Sequence, residues 1–92
     1  MLFRVAANDK PHTVLLKWNP PAKPAFAVAG YNIYRSSPDK ENERIATAVS
    51  GLSYVDRSVK PGTTYIYRVK AIDASGNESP NSNGAVAQIP PP

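Results

Sequence analysis

Ten prolines divide the 92-residue chain into short segments. Proline interrupts both helix interiors and strand ladders, and most of the intervals are too short for a helix of three turns. Within the intervals, apolar residues recur at every second position, as in strands that bury one face. No segment offers the crossover helix that parallel strands need. The pattern therefore predicts an all-β chain with antiparallel strands.

Seven segments have the length and alternation of strands, and the strongest of them, Thr63 to Ile72, alternates aromatic or small residues with Ile66, Arg68, Lys70 and Ile72. The seven predicted strands are residues 3–7, 13–18, 30–36, 44–49, 53–56, 63–72 and 85–89. Seven short strands separated by turn signals predict an immunoglobulin-like antiparallel sandwich. The buried faces predict a core formed by Val14, Leu16, Trp18, Tyr31, Ile33, Tyr54, Tyr65, Tyr67, Val69 and Ala71.

The composition excludes several classes of function. Eleven lysines and arginines are scattered along the chain among seven acidic residues, so no basic stripe for nucleic acid is expected. No apolar run approaches the roughly 20 residues that span a bilayer, so membrane insertion is not expected. The chain has no cysteine and therefore no disulfide, thiolate metal site or cysteine nucleophile.

The residues that could support catalysis or metal binding have simpler explanations. His12 is the only histidine and is expected in an exposed loop before the second strand. Glu41 and Glu43 could form a carboxylate pair for glycoside hydrolysis, but they alternate with cations and are expected to lie in a solvated loop. Asp73 and Glu78 flank a polar turn whose spacing does not fit a calcium loop. We therefore predict no catalytic residue, metal or cofactor, and no enzyme activity.

Four segments of the chain resemble a fibronectin type III domain, and the resemblance covers about Val5 to Ile89. The segments are Thr-Val-Leu-Leu-Lys-Trp ending at Trp18, Gly-Tyr-Asn-Ile-Tyr-Arg from residue 30, Val-Lys-Pro-Gly-Thr-Thr-Tyr from residue 59, and Val-Lys-Ala-Ile-Asp from residue 69. The following segment, Asp-Ala-Ser-Gly-Asn-Glu-Ser, is similar to modules of bacterial multidomain proteins, many of them secreted or surface-attached.

The resemblance implies a domain over residues 1–89, with its last strand over 82–89, and the start of a proline-rich linker at residues 90–92. It places Trp18 between the sheets and Tyr65 at the tyrosine corner, where a buried phenol bonds to the backbone. It implies a non-catalytic spacer or interaction module of a larger extracellular or cell-surface bacterial protein, one that acts on polysaccharide. Its partners would be neighbouring domains of the same polypeptide, and the isolated domain would be monomeric.

Two surfaces are candidates for recognising a protein or a polysaccharide, which is the alternative function. Strand alternation places Tyr34, Ile66, Arg68 and Lys70 on the outer face of one sheet, beside Asn32. Phe26, in the proline-rich loop after the second strand, is the second candidate. Isolated exposed apolar residues are normal on any surface, so neither surface is assigned by sequence alone.

Overall fold

The structure is a computed structural model that describes residues 3–9, 12–20, 27–80 and 84–91, with side chains described from Thr13 onward. Its strands are β1 (Phe3–Asp9), β2 (His12–Trp18), β3 (Gly30–Ser36), β4 (Glu43–Val49), β5 (Ser53–Asp56), β6 (Thr64–Ile72) and β7 (Ala85–Gln88). Within these ranges, no helix has the length and apolar character needed to cross a membrane.

The strands form two antiparallel sheets. One sheet has the order β1-β2-β5 and the other has the order β4-β3-β6-β7. The predicted all-β sandwich is confirmed. Two residues lie in strands where loops were expected: His12 is the first residue of β2, and Glu43 is the first residue of β4. Pairing explains both differences, because Asp9 of β1 pairs with His12 and Arg35 of β3 pairs with Glu43.

The core lies between the two sheets. Nine of the ten predicted core residues are buried there, and Tyr54 is half-buried and packs against them. Val59, Ala87 and Ile89 complete the cluster. The ring centroids of Trp18 and Tyr31 lie 5.4 Å apart in an edge-on arrangement, which favours the interaction between the two aromatic quadrupoles.

Ile72 is buried, although strand alternation placed it on the outer face. Only 7% of its surface is exposed. The chain beyond β6 returns over this position, and Ile72 forms an isolated antiparallel bridge with Glu78. The carbonyl of Ile72 also accepts a hydrogen bond from the N–H of Ala29 at 2.7 Å. Loops from two parts of the chain therefore cover the end of β6.

Two local features position the polar groups described below. The hydroxyl of Tyr65 accepts a hydrogen bond from the N–H of Lys60 at 2.9 Å, the contact that a tyrosine corner requires. Between them, Gly62 takes a positive φ of 68°, which glycine adopts without steric cost. In β4, an edge strand of the four-stranded sheet, Ala48 also has a positive φ, of 53°. It lies where the register between β3 and β4 shifts.

Gly30 permits the close approach of β3 and β4 at this irregularity. A Cβ atom at residue 30 would lie 3.2 Å from the backbone carbonyl carbon of Ala48, closer than most real contacts of this kind. The N–H of Ala48 is directed to the side-chain oxygen of Asn32, at 3.0 Å. The bulge in β4 is thereby connected to the outer face of β3.

Candidate interaction surface

The outer face of the sheet β4-β3-β6-β7 brings the four predicted residues of that surface together. Across the strands, Tyr34 is paired with Arg44 on one side and with Arg68 on the other. Ile66 is paired with Val86 of β7, and Lys70 is paired with Asn32. Paired residues of adjacent strands project to the same face, roughly 5 Å apart. Phe26, the second candidate, lies outside the described residues.

A carboxylate from a distant segment occupies part of this face. Glu78 accepts hydrogen bonds from the hydroxyl of Tyr34 and, at 2.7 Å, from the side-chain amide of Asn32. The ammonium group of Lys70 lies 3.7 Å from the other carboxylate oxygen of Glu78 and 5.1 Å from the centroid of the Tyr34 ring. We call Asn32, Tyr34, Lys70 and Glu78 the Glu78 cluster. Its four polar groups satisfy one another.

Asn32 is buried rather than exposed, which corrects the view of it as an open neighbour of Tyr34. Only 3% of its surface is accessible. Its amide donates to Glu78, and its carbonyl oxygen accepts from the N–H of Ala48. A buried amide needs partners on both of its polar atoms, and here one comes from each side of β3.

The Glu78 cluster shifts the ionisation of its members. The hydrogen bonds from Tyr34 and Asn32 lower the pKa of Glu78, and the charges of Lys70 and Arg44 act in the same direction. Burial and the adjacent Glu78 raise the pKa of Tyr34. At neutral pH, the cluster therefore contains an ionised carboxylate and a neutral phenol that donates a hydrogen bond to it.

A second polar cluster lies on the inner face of the same sheet. Arg35 of β3 donates from Nη1 to Asp56 at 2.9 Å and from Nη2 to Glu43 at 3.1 Å. Its guanidinium lies 5.0 Å from the ring centroid of Tyr65. The hydroxyl of Tyr67 donates to Asp56 at 2.6 Å. We call Arg35, Glu43, Asp56, Tyr65 and Tyr67 the Asp56 cluster.

Asp56 is almost fully enclosed, with only 2% of its surface exposed. Burial alone would raise its pKa, but the hydrogen bonds from Tyr67, Ser58 and Arg35 together outweigh burial and lower the pKa. Ser58 contributes both its backbone N–H, at 3.0 Å, and its hydroxyl, at 2.7 Å. Burial and the carboxylate raise the pKa of Tyr67, which stays protonated. The cluster is a closed, ionised network.

The sequence interpretation did not single out the Asp56 cluster, although a signal for it was present. Arg35 follows Tyr31 and Ile33 at period two, and Asp56 follows Tyr54 in the same way. Both positions face the core, so an arginine and an aspartate in opposite sheets were available to pair. What the alternation did not show is that the two residues stand opposite each other.

The Asp56 cluster borders a pocket of about 190 Å³ that is also lined by Ser37, Lys60 and Thr63. Its charged lining residues also include Asp39 and Lys40. Arg35 and Glu43 are paired with each other. Among the described side chains, no group of three or more His, Asp or Glu residues is arranged to hold a metal ion.

The sandwich topology and the tyrosine corner define the class of protein, and comparison with known proteins identifies the family. The model of the fibronectin type III domain matches residues 3–88. A solved structure of an Fn3-like protein from Clostridium thermocellum superposes with a TM-score of 0.78 at 30% identity, covering 96% of this chain and 88% of that one. The chain belongs to the fibronectin type III family.

The similar curated proteins are much longer than this chain. It is 49% identical over 59 residues to an amylopullulanase of Thermoanaerobacterium thermosulfurigenes, an alignment that covers 63% of this chain and 3% of that protein. It is 45% identical over 78 residues to an alpha-amylase of Niallia circulans, covering 85% of this chain and 6% of that protein. The chain thus corresponds to a small part of each relative.

Proposed function

We propose that the chain is a non-catalytic module of a larger bacterial protein that acts on polysaccharide, where it spaces and orients neighbouring domains. One observation carries the proposal: the alignment covers most of this chain but only 6% of an alpha-amylase. A segment that forms so small a share of an enzyme and has a two-sheet sandwich fold is suited to a supporting role. An extracellular or cell-surface location is part of the proposal.

Backbone hydrogen bonds at the end of the domain support this role. The N–H of Gly62 lies within hydrogen-bond distance of the carbonyls of Ile89 and Pro90, at 3.1 and 3.0 Å. These bonds attach the end of the last strand to the turn beside the tyrosine corner. In the proposed arrangement, residues 1–89 form the module and residues 90–92 begin a stiff linker, because consecutive prolines adopt an extended geometry of about 3.1 Å per residue.

A turnover assay tests the absence of catalysis. The purified chain is incubated with soluble starch and with pullulan, and the release of reducing ends is measured against a buffer blank. We expect no release above the blank. As a control for trace contaminating enzyme, Glu41→Gln and Glu43→Gln are assayed in parallel. Turnover that is present in the unmodified chain and lost in either variant would contradict the proposal.

A recognition module is the second candidate function, and the exposure of Val86 beside Ile66 and Arg68 favours it. Recognition of a glycan through Tyr34 would depend on the aromatic ring rather than on the hydroxyl, because sugars stack on ring faces. Titration with soluble starch would then show binding that is lost in Tyr34→Ala and retained in Tyr34→Phe. Equal binding by both variants would exclude Tyr34 as the platform.

A further inference from the structure

The outer face consists of a closed part and an open part. In the Glu78 cluster, the amide of Asn32, the hydroxyl of Tyr34 and the charge of Lys70 all engage Glu78. Next to this cluster lie Ile66, Arg68 and Val86, which we call the Arg68 patch. Arg68 and Ile66 are half-buried, and 58% of Val86 is exposed. The predicted surface is therefore two surfaces with different properties.

Arg68 has no carboxylate partner among the described residues. Ion pairs in this part of the chain engage Glu43, Asp56 and Glu78, and none of them includes Arg68. The chain has seven acidic residues. The only acidic side chain that the structure does not describe belongs to Asp9, on β1 in the opposite sheet. Among the side chains that the structure describes, none therefore offers Arg68 a carboxylate on the outer face.

The guanidinium of Arg68 lies next to apolar surface. Gly84 precedes β7, and a Cβ atom at residue 84 would lie 3.4 Å from Nη2 of Arg68 and 3.5 Å from a methyl group of Ile66. Because Gly84 has no side chain, it adds no further cover to these two half-buried side chains. An arginine beside aliphatic surface is typical of the centre of protein interfaces, where arginine is enriched and can bind a carboxylate in bidentate geometry.

The same observations argue against a sugar as the ligand of this patch. Sugar rings bind on open aromatic faces, and the Arg68 patch has none. The nearest ring on the face, that of Tyr34, has the Lys70 ammonium 5.1 Å from its centroid, and its hydroxyl is directed to Glu78. A partner that offers a carboxylate and an apolar side chain together fits the patch better, and protein surfaces offer both.

We infer that the Arg68 patch is a docking site for an acidic protein surface, with a partner carboxylate on Arg68 and a partner apolar side chain on Val86 and Ile66. The inference rests on the proposed function, because a module that orients neighbouring domains has protein surfaces beside it. Arg44, across Tyr34 from Arg68, adds a further positive charge to the face. Charge complementarity directs such a partner to this face and sets its orientation.

Titration of the uniformly ¹⁵N-labelled 92-residue chain tests the inference. The probe is a random copolymer of glutamate and tyrosine. Binding is monitored by NMR through the backbone amide and arginine side-chain signals of the chain. We expect shifts concentrated at Ile66, Arg68 and Val86 and an affinity that falls with added salt. The matched probes are a lysine–tyrosine copolymer, which reverses the charge, and polygalacturonate, which presents carboxylates on a sugar chain.

Paired variants separate the patch from general charge attraction. Arg68→Gln is expected to weaken binding about tenfold, the effect of losing a charged hydrogen-bonded contact. The control is Arg57→Gln, which removes an exposed arginine that follows β5 and is expected to leave binding unchanged. Gly84→Glu places a carboxylate beside Arg68 and should compete with the probe, whereas Gly84→Gln adds the same bulk without the charge and should weaken binding less.

Each outcome decides the inference. Localised shifts, together with loss of binding in Arg68→Gln and Gly84→Glu, support it. Shifts spread over all cations, equal losses in Arg57→Gln, or no binding would overturn it. Stronger binding of polygalacturonate at the same residues would also overturn it and assign the patch to an anionic polysaccharide. None of these results depends on the turnover assay, where hydrolysis of starch would contradict the module function while leaving this binding intact.

Discussion

The Asp56 and Glu78 clusters occupy opposite faces of the same two strands, β3 and β6. In each cluster, a carboxylate from outside β3 and β6 contacts a tyrosine and a cationic side chain of these two strands. The Asp56 side chain is 3% exposed and lies 2.9 Å from its arginine, whereas the Glu78 side chain is 27% exposed and lies 3.7 Å from its lysine. The same types of group are thus arranged once in the interior and once at the surface.

The difference in burial determines what each cluster contributes. Removing one member of a buried ion pair leaves the other charge without compensation in a medium of low polarity. At the surface, water and salt screen the same pair, and its contribution is small. The Asp56 cluster therefore stabilises the packing of the two sheets, while the Glu78 cluster mainly organises a face that stays accessible.

The largest expected effect is that of Asp56→Asn. The substitution keeps the size of the side chain but leaves the Arg35 charge without its buried partner, so we expect a loss of about 3 to 5 kcal/mol in the free energy of unfolding. Urea unfolding followed by tryptophan fluorescence measures it. Glu78→Gln is the matched control on the outer face. Similar losses in the two variants would show that burial does not distinguish the clusters.

Low pH should remove part of the stability that Asp56 contributes. The folded protein lowers the pKa of Asp56, so its contribution is fully present above the unfolded value of about 3.9 and is lost as pH falls through the lower folded value. The unfolding free energy measured from pH 6 to pH 2 should therefore decrease more steeply for the unmodified chain than for Asp56→Asn. Parallel profiles would contradict the shift assigned to Asp56.

Tyr65→Phe should have a smaller effect. It removes the acceptor for the N–H of Lys60 and leaves a partly buried donor without a partner, at a cost of about 1 to 2 kcal/mol. Thermal or urea unfolding measures the change. On the outer face, Tyr34→Phe should cost less, because Glu78 keeps its contacts with Asn32 and Lys70. A larger loss in Tyr34→Phe than in Tyr65→Phe would mean that the Tyr34 hydroxyl contributes more to stability.

The smallest expected effect is that of Glu78→Gln itself. The pair with Lys70 is partly exposed, so the variant should lose no more than about 1 kcal/mol, and the difference from the unmodified chain should shrink in 1 M salt, where the screening length is about 3 Å. Urea unfolding at low and high salt provides the comparison. A large loss that salt does not change would place Glu78 among the buried charges.

Strand alternation, together with proline spacing and turn signals, predicted the all-β sandwich and most of its core. Tyr65, Tyr67 and Val69 face the interior and Ile66 and Arg68 face outward, because successive side chains of a strand project to opposite sides. The same rule places Arg35 and Asp56 on inner faces. This information is local, so it is present in the sequence of each strand without knowledge of its neighbours.

Only the tertiary structure decided which distant groups meet. Glu78 reaches Asn32 across 46 positions of sequence, and the bridge between Glu78 and Ile72 helps to bury a residue that alternation had placed outside. Such contacts depend on how loops return over a sheet, and no periodicity within a strand encodes that path. The division of the outer face into the Glu78 cluster and the Arg68 patch follows from this one loop. Its carboxylate binds Tyr34 and Lys70, and Arg68 has no carboxylate partner in the part of the chain that the structure describes.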